Sequence, residues 1–311
     1  MKNIIIGCPY TGFKYLEKEL NLFSDINCLN VNNITGIDLK KIYTKNNQYF
    51  FNDIHSVFIR YPYDLIPPHS QTYKLRENTE YLKTIALILS DKSINPIQLT
   101  WKYRNRLLGL QLAHKIGLNI LPSIITKKYS NCKNFYTNKS IPISKAIGNC
   151  FVSYNIKNLT SKHFIVAQDG SEFASIYPAQ QMTINNLKKY LQTTNVIFLQ
   201  KAATNIIKEF RIYLIGKKIF IFSRLNNSNK TDKSNELYIQ DNFSIQYYSV
   251  KNKLFKLKKE MDLGYLCLDM IETKHNIFLI DINPLGSLPP YKQYPFVVKE
   301  LARAIKNFSK N

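Results

Sequence analysis

Five cysteines, Cys8, Cys28, Cys132, Cys150 and Cys267, are scattered through 311 residues with no C-x-x-C pair. Their odd number and spacing exclude a disulfide framework and a zinc knuckle, and they fit a reducing compartment. No apolar run approaches the roughly 18 residues that a membrane-spanning helix needs, and the opening MKNIIIGCPY is too short for the core of a signal peptide. A soluble cytoplasmic protein with no membrane partner is the expectation.

Several motifs are also missing. There is no G-x-x-x-x-G-K-[ST] and no G-x-G-x-x-G, so neither a P-loop nor a Rossmann fingerprint is present. The five histidines form no H-E-x-x-H and no serine sits in G-x-S-x-G, which leaves zinc hydrolysis and an α/β-hydrolase triad without support. Internal repeats, heptads and long low-complexity tracts are lacking too.

What the chain has in excess is positive charge: 43 Lys and Arg against 21 Asp and Glu, a net +22. Such a balance admits nucleic acid, a membrane surface or an acidic substrate. The basic residues are spread rather than gathered, and Lys, Asn and Ile abound throughout, so a solvated surface is the first explanation. An acidic peptide or nucleotide partner comes second and nucleic acid third.

With 45% hydrophobic and 13% aromatic residues, a chain of this length can fill two or three lobes. Residues 1–95 read as a small α/β lobe, with strands at 3–7, 26–31 and 56–62, helices at 13–23 and 77–92, and a boundary near Asn95-Pro96. Residues 96–195 hold a helix from Trp101 closed by Gly117, a strand after Pro122, strands at 141–155 and 163–168, and a helix at 183–192. Residues 196–311 are strand-rich, at 196–200, 209–216, 218–225, 265–272 and 276–284, around a polar stretch, 226–245, that reads as a mobile loop.

The last strand carries the informative pattern. In FLIDINPLG (278–286) a carboxylate and an amide stand two residues apart in an apolar run. Strand alternation puts Asp281 and Asn283 on one face and Ile280 and Ile282 on the other. Capping of the turn at Pro284 and Gly286 accounts for them equally well. The strand before it, YLCLDMIE, is joined by a turn around TKHN, and a carboxylate four or five residues before such a turn sits across from one a similar distance after it, which places Asp269 next to the strand that carries Asp281 and Asn283.

Two facing carboxylates repel unless a cation lies between them, and an Asp/Asp/Asn set of hard oxygens matches Mg²⁺ held partly through substrate phosphates. Cations stand on strands as well. Lys145 in IPISKAIG shares a face with Ile141 and Ile143, while Arg211 in EFRIYLIG and Arg224 in IFIFSRL pose the same problem. Each needs an anion or a route to the surface.

Taken in order, RNRLLGLQLAHKIGLNILPSIIT, ISKAIG, FLQKAA, EFRIYLIG and LDM followed by FLIDINP resemble the ATP-grasp superfamily from about residue 100 to the end. SVFIRYP, INPIQLTWKYRNRLLGLQLAHKIGL and DINPLGSLPPY with VVKELARAI are most similar to the ATP-grasp ligases that build macrocycles in microviridin-type ribosomal peptides, the graspetides. Ribosomal-protein glutamate ligases share most of these motifs.

The resemblance implies an α/β (α+β) three-lobed ATP-grasp fold: a pre-ATP-grasp domain over 1–95, a central subdomain over 96–195 and a C-terminal subdomain with the metal site over 196–311. It implies ATP and Mg²⁺, with Asp269, Asp281 and Asn283 holding the metal. Lys145 would meet the nucleotide phosphates, Arg106, at a position that is usually Lys, would also face the nucleotide, and the backbone of Gln200, Lys201 and Ala202 would meet the adenine. Arg211 and Arg224 would steady the transferred phosphate and the acyl-phosphate. Three positions depart from the family pattern: Asp281 is usually Glu, Lys201 is usually acidic, and the glycine-rich loop is reduced to Gly148.

The activity so implied is ATP-dependent ligation of a carboxylate to an amine or alcohol, closing side-chain esters or amides in an acidic precursor peptide with leader and core. Glutamate addition or a small-molecule ligase is the near alternative. A nucleotide-binding module without ligase activity follows, motivated by Asp281, Lys201 and the poor glycine loop. No nucleic-acid partner is expected; a homodimer is allowed, although no stretch declares an interface.

Overall fold

The computed structural model describes residues 1–7, 13–59, 73–135, 142–145, 164–166, 172–175, 180–181, 191, 197–201, 203, 205–225, 239–243, 247–284 and 294–308. The chain opens with β1 (Lys2–Gly7), α1 (Phe13–Asn21) and β2 (Ile26–Asn30). An antiparallel meander of β3 (Ile34–Ile37), β4 (Lys41–Thr44) and β5 (Gln48–Phe50) precedes β6 (Ile54–Ile59) and α2 (Tyr73–Ile88). β1 lies between β2 and β6 and runs parallel to both. Ile4, Ile5 and Ile6 are fully buried because a central parallel strand is covered on both faces. Ile4 and Ile6 pack with Leu16 and Leu20 of α1, whereas Ile5 packs with Ile85 and Ala86 of α2.

The middle of the chain forms α3 (Ile97–Arg104), α4 (Arg106–Lys115), β7 (Ser123–Thr126), α5 (Tyr129–Phe135), β8 (Pro142–Lys145), β9 (Phe164–Val166), β10 (Glu172–Ser175), β11 (Gln180–Gln181) and β12 (Ile197–Lys201). The single helix expected from Trp101 is interrupted at Asn105, whose extended ψ of 106° stops α3. The Asn105 Oδ1 accepts the N–H groups of Leu107 and Leu108 at 3.1 and 3.3 Å, an N-cap that starts α4 and makes Arg106 its first residue. Gly117 closes α4 as its spacing predicts, with φ +84°; its N–H reaches the His114 carbonyl and that of Leu118 reaches Ala113.

Strand β12, expected among the C-terminal strands, is hydrogen-bonded between β7 and β8 in a sheet of order β11-β8-β12-β7. Its own apolar pattern says only that it is a buried strand; which sheet it joins is a matter of register with distant segments. The expected strand 141–155 is described over Pro142–Lys145, and of the expected helix 183–192 only Leu191 is described.

The last part of the chain holds β13 (Ile206–Ile215), β14 (Lys218–Leu225), β15 (Ile239–Gln240), α6 (Val250–Glu260), β16 (Tyr265–Thr273), β17 (Ile277–Asn283) and α7 (Pro295–Lys306). The strands form an antiparallel sheet of order β15-β14-β13-β16-β17. The polar stretch expected to be a mobile loop contains β15, which pairs with Phe222 and Ser223; 226–238 and 244–246 lie outside the described residues. Among the described residues no helix is long and apolar enough to cross a membrane.

Each face of this sheet has its own cover. Phe210, Ile212, Leu214, Leu266, Leu268 and Met270 pack with Leu110 and Ala113 of α4 and with α6, whose Val250, Leu254 and Leu257 recur at helical spacing. Tyr213, Ile215, Phe222, Tyr265 and Cys267 face the other way, onto α7 and the apolar residues of β1, β6 and α1. α7 thus joins the parallel sheet to the antiparallel one.

Candidate functional site

β16 and β17 pair so that Asp269 stands directly across from Asp281, one residue beyond the Ile280 that an even count from the turn would set there. Asn283 stands across from Cys267 on the same face. Simple alternation does not by itself produce this face. Ile277 and Leu279 point into the core, and two more steps of strict alternation would send Asp281 there as well. The register shifts by one residue between Asp269 and Met270, where Met270 pairs with Leu279 and Ile280 is left as a bulge. Ile282 therefore rejoins Ile277 and Leu279 in the core, and Asp281 and Asn283 emerge beside Asp269. Ile280, expected to share the face of Ile282, is the bulged residue instead.

One register line crosses the sheet through Phe222, Arg211, Asp269 and Asp281. Residues directly opposite in antiparallel strands share a face, so Arg211 lies next to Asp269 by construction. Its Nε and Nη2 donate to Asp269 Oδ1 and Oδ2 at 3.0 and 3.3 Å. Burial is the largest single influence and works against the Arg211 charge, yet Asp269, with Cys267 and Tyr213, together outweighs it and lifts the guanidinium pKa above its usual value.

Asp281 has a guanidinium of its own. Arg106 Nε and Nη2 donate to its Oδ1 and Oδ2 at 3.1 and 3.2 Å, and Oδ1 also accepts the Ile282 N–H at 3.0 Å. Each of the two facing carboxylates thus carries a two-pronged arginine. Arg224 likewise has an anion within the fold, for its Nε and Nη2 donate to Glu209 Oε2 at 3.0 and 2.6 Å across β13 and β14.

The remaining expected residues gather on the four-stranded sheet. Lys145 is paired in register with Phe198, and Gln200 with Ser123 and Ile143. The Gln200 side chain is buried and donates to Ser123 Oγ at 3.2 Å. The Lys201 N–H is taken by the Pro122 carbonyl at 2.9 Å, and its ammonium lies 5.7 Å from the Phe135 ring centroid. Ala202 and Gly148 lie outside the described residues, as does the side chain of Lys145.

Two carboxylates in register and an amide on the same face are hard oxygen donors, which suits Mg²⁺. Among the described residues no three His, Cys, Asp or Glu side chains converge, so a cation here would draw its third protein ligand from the Asn283 amide. Glu209 escaped notice in the sequence, although it stands two residues before Arg211 on the same strand face. The spacing that singles out Asp281 and Asn283 would have found it. Asn95 escaped as well, because Asn-Pro reads as a boundary.

No family model and no curated protein matches the chain. Solved structures do, and the chain has the ATP-grasp fold that they share with it end to end. It is similar to the macrocyclase MdnC of Microcystis aeruginosa, solved with the precursor peptide MdnA, at 17% identity and a TM-score of 0.72, covering 98% of this chain and 99% of that one. A RiPP-associated ATP-grasp ligase of Chryseobacterium gregarium, in complex with ADP and a leader and core peptide, is 16% identical with a TM-score of 0.71 over 100% and 98% of the two chains. The D-alanyl-alanine synthetase A of Vibrio cholerae is 11% identical with a TM-score of 0.60, over 98% of each chain.

Proposed function

We propose that the chain is an ATP-dependent ligase that joins a carboxylate to an amine or alcohol within a ribosomally made precursor peptide. The observation that carries this reading is the line Arg211, Asp269, Asp281, with Asn283 beside it, on one face of a sheet in a fold shared end to end with peptide-bound macrocyclases.

A carboxylate is a poor electrophile until one of its oxygens becomes a leaving group. In the reaction we propose, a side-chain carboxylate oxygen of the peptide attacks the γ-phosphorus of ATP and ADP departs. The amine or hydroxyl then attacks the acyl-phosphate carbon and phosphate leaves, its proton passing to solvent. Such transfer depends on positioning and charge neutralisation rather than on a protein nucleophile.

Arg211 and Arg224 would hold the oxygens of the transferred phosphate and the acyl-phosphate. Lys145 and Arg106 would meet the nucleotide phosphates, and the backbone of Gln200, Lys201 and Ala202 would line the adenine. Asp269, Asp281 and Asn283 would hold Mg²⁺, which when bound offsets charge on the phosphate oxygens. The net charge of +22 favours an acidic peptide by speeding encounter, and a cytoplasmic setting supplies ATP.

The likeness to D-alanyl-alanine synthetase favours a second reading, ligation of small molecules. Mass separates the two. Incubated with ATP, Mg²⁺, free glutamate and other amino acids, and an acidic peptide encoded beside its gene, the protein should remove one water for each ring closed. A gain in mass would assign glutamate addition or small-molecule ligation, and nucleotide binding with no product would leave a binding module.

A further inference from the structure

We propose that Arg106 is an anion exchanger: it holds the Asp281 carboxylate while no nucleotide is bound and transfers to the triphosphate when one arrives, so that the cation site opens only with nucleotide. The inference rests on the reading of Asp281 as a magnesium ligand.

Both Asp281 oxygens are engaged by the Arg106 fork, and Oδ1 accepts a backbone N–H besides. A divalent cation approaching this carboxylate meets a guanidinium already in place, and the like charges repel. Water does little to relieve this, for the Arg106 and Asp281 side chains are 15% and 20% exposed, against 36% and 29% for Arg211 and Asp269. The Asp281 pair is thus the stronger obstacle of the two.

The partners are mounted differently. Asp281 is held by its strand, by the Ile282 N–H and by the bulge that turns it outward. Arg211 stands on the strand next to Asp269 and directly across from it. Arg106 reaches Asp281 from another element, the first turn of α4, whose start is held by the Asn105 cap. The start of a helix is where the peptide dipole favours negative charge, so a guanidinium there gains most from bringing in an anion. Asp281 is that anion now. A polyphosphate offers the same fork more charge, and accepting it would leave Asp281 to the metal.

Competition of this kind lowers apparent metal affinity by the fraction of molecules with Asp281 released. The full-length protein, Arg106→Met and Asp281→Asn would be titrated with Mn²⁺ by electron paramagnetic resonance, each with and without a non-hydrolysable ATP analogue, after melting curves confirm folding. Without nucleotide, Arg106→Met should bind Mn²⁺ about tenfold more tightly than wild type, and the analogue should tighten wild type far more than the variant. Arg106→Lys, which keeps the charge but loses the fork, serves as a second variant and should fall between the two. No gain in either Arg106 variant would overturn the exchange, even with metal binding lost in Asp281→Asn. Unchanged binding in Asp281→Asn would instead reject the metal assignment, and the exchange with it.

Discussion

Asn95 and Tyr265 hold each other across 170 residues of sequence: the Tyr265 N–H donates to Asn95 Oδ1 at 2.9 Å, and Asn95 Nδ2 donates to the Tyr265 carbonyl at 2.8 Å. Nδ2 also reaches the Pro284 carbonyl at 2.8 Å. One buried amide therefore ties the end of the first lobe to the entry of β16 and the exit of β17, the two strands that carry Asp269, Asp281 and Asn283. Next to it the Gly264 N–H meets the Ile94 carbonyl at 2.7 Å, and a Cβ on Gly264 would fall 2.2 Å from Ile94 Cγ1.

Replacing Asn95 by Ala should destabilise the fold by about 2–4 kcal/mol, because one N–H and two carbonyls lose their partner in a buried place. Chemical denaturation measures this. A loss below about 0.5 kcal/mol would mean that water replaces the amide without cost.

Asp281→Asn keeps shape and removes charge. ATP turnover should vanish with the protein still folded, while the melting temperature falls, since the amide gives the Arg106 fork one neutral oxygen in place of two charged ones. Turnover within about twofold of wild type would remove Asp281 from the metal site.

Arg211→Ala should act on the product-forming step. Removing a preorganised cation from a transferring phosphate costs on the order of 10²–10³ in rate, and ATP affinity should change far less. Single-turnover loss of water, compared with ATP binding by calorimetry, separates the two effects. Dehydration that survives the substitution would return Arg211 to a purely structural role beside Asp269.

Cys28 has a proton that the fold retains. Burial first, and the neighbouring Glu17 charge second, push its thiol up to about 12 from an ordinary 9.0. As pH rises from 9.0 toward about 12 the unfolded chain gives up this proton before the folded one, so the group lowers stability across that window and has no such effect below it. At pH near 8 alkylation of Cys28 should run roughly a thousandfold slower in the folded protein than in urea, in proportion to the thiolate fraction. Equal rates, read residue by residue in a mass spectrometer, would show the thiol to be accessible and ordinary.

The hairpin was legible because its turn lies close in sequence: Asp269 and Asp281 stand at similar distances on either side of TKHN, although an even count pairs Asp269 with Ile280 and the bulge brings in Asp281 instead. Long-range relationships carry no such mark. That Arg106 meets Asp281 across 175 residues follows from α4 packing on β17, which no local pattern encodes. α6 was within reach, since Val250, Leu254 and Leu257 are spaced for one helix face, but its many lysines read as solvated surface. The break at Asn105 is a capping effect of one side chain, and it decides where Arg106 stands.

The bulge at Ile280 gives this strand a reading frame. Were Ile280 paired in an unbroken ladder rather than bulged, the acid would turn toward Leu268 and Met270 and the apolar residue toward solvent. Deletion of Ile280 should therefore be tolerated, since it sets Leu279 and Asp281 next to each other on opposite faces and keeps the acid where it stands, whereas an insertion that keeps a single bulged residue would turn the acid inward. Comparisons that assign faces by strict alternation from Leu279 place the acids on the wrong side of the sheet.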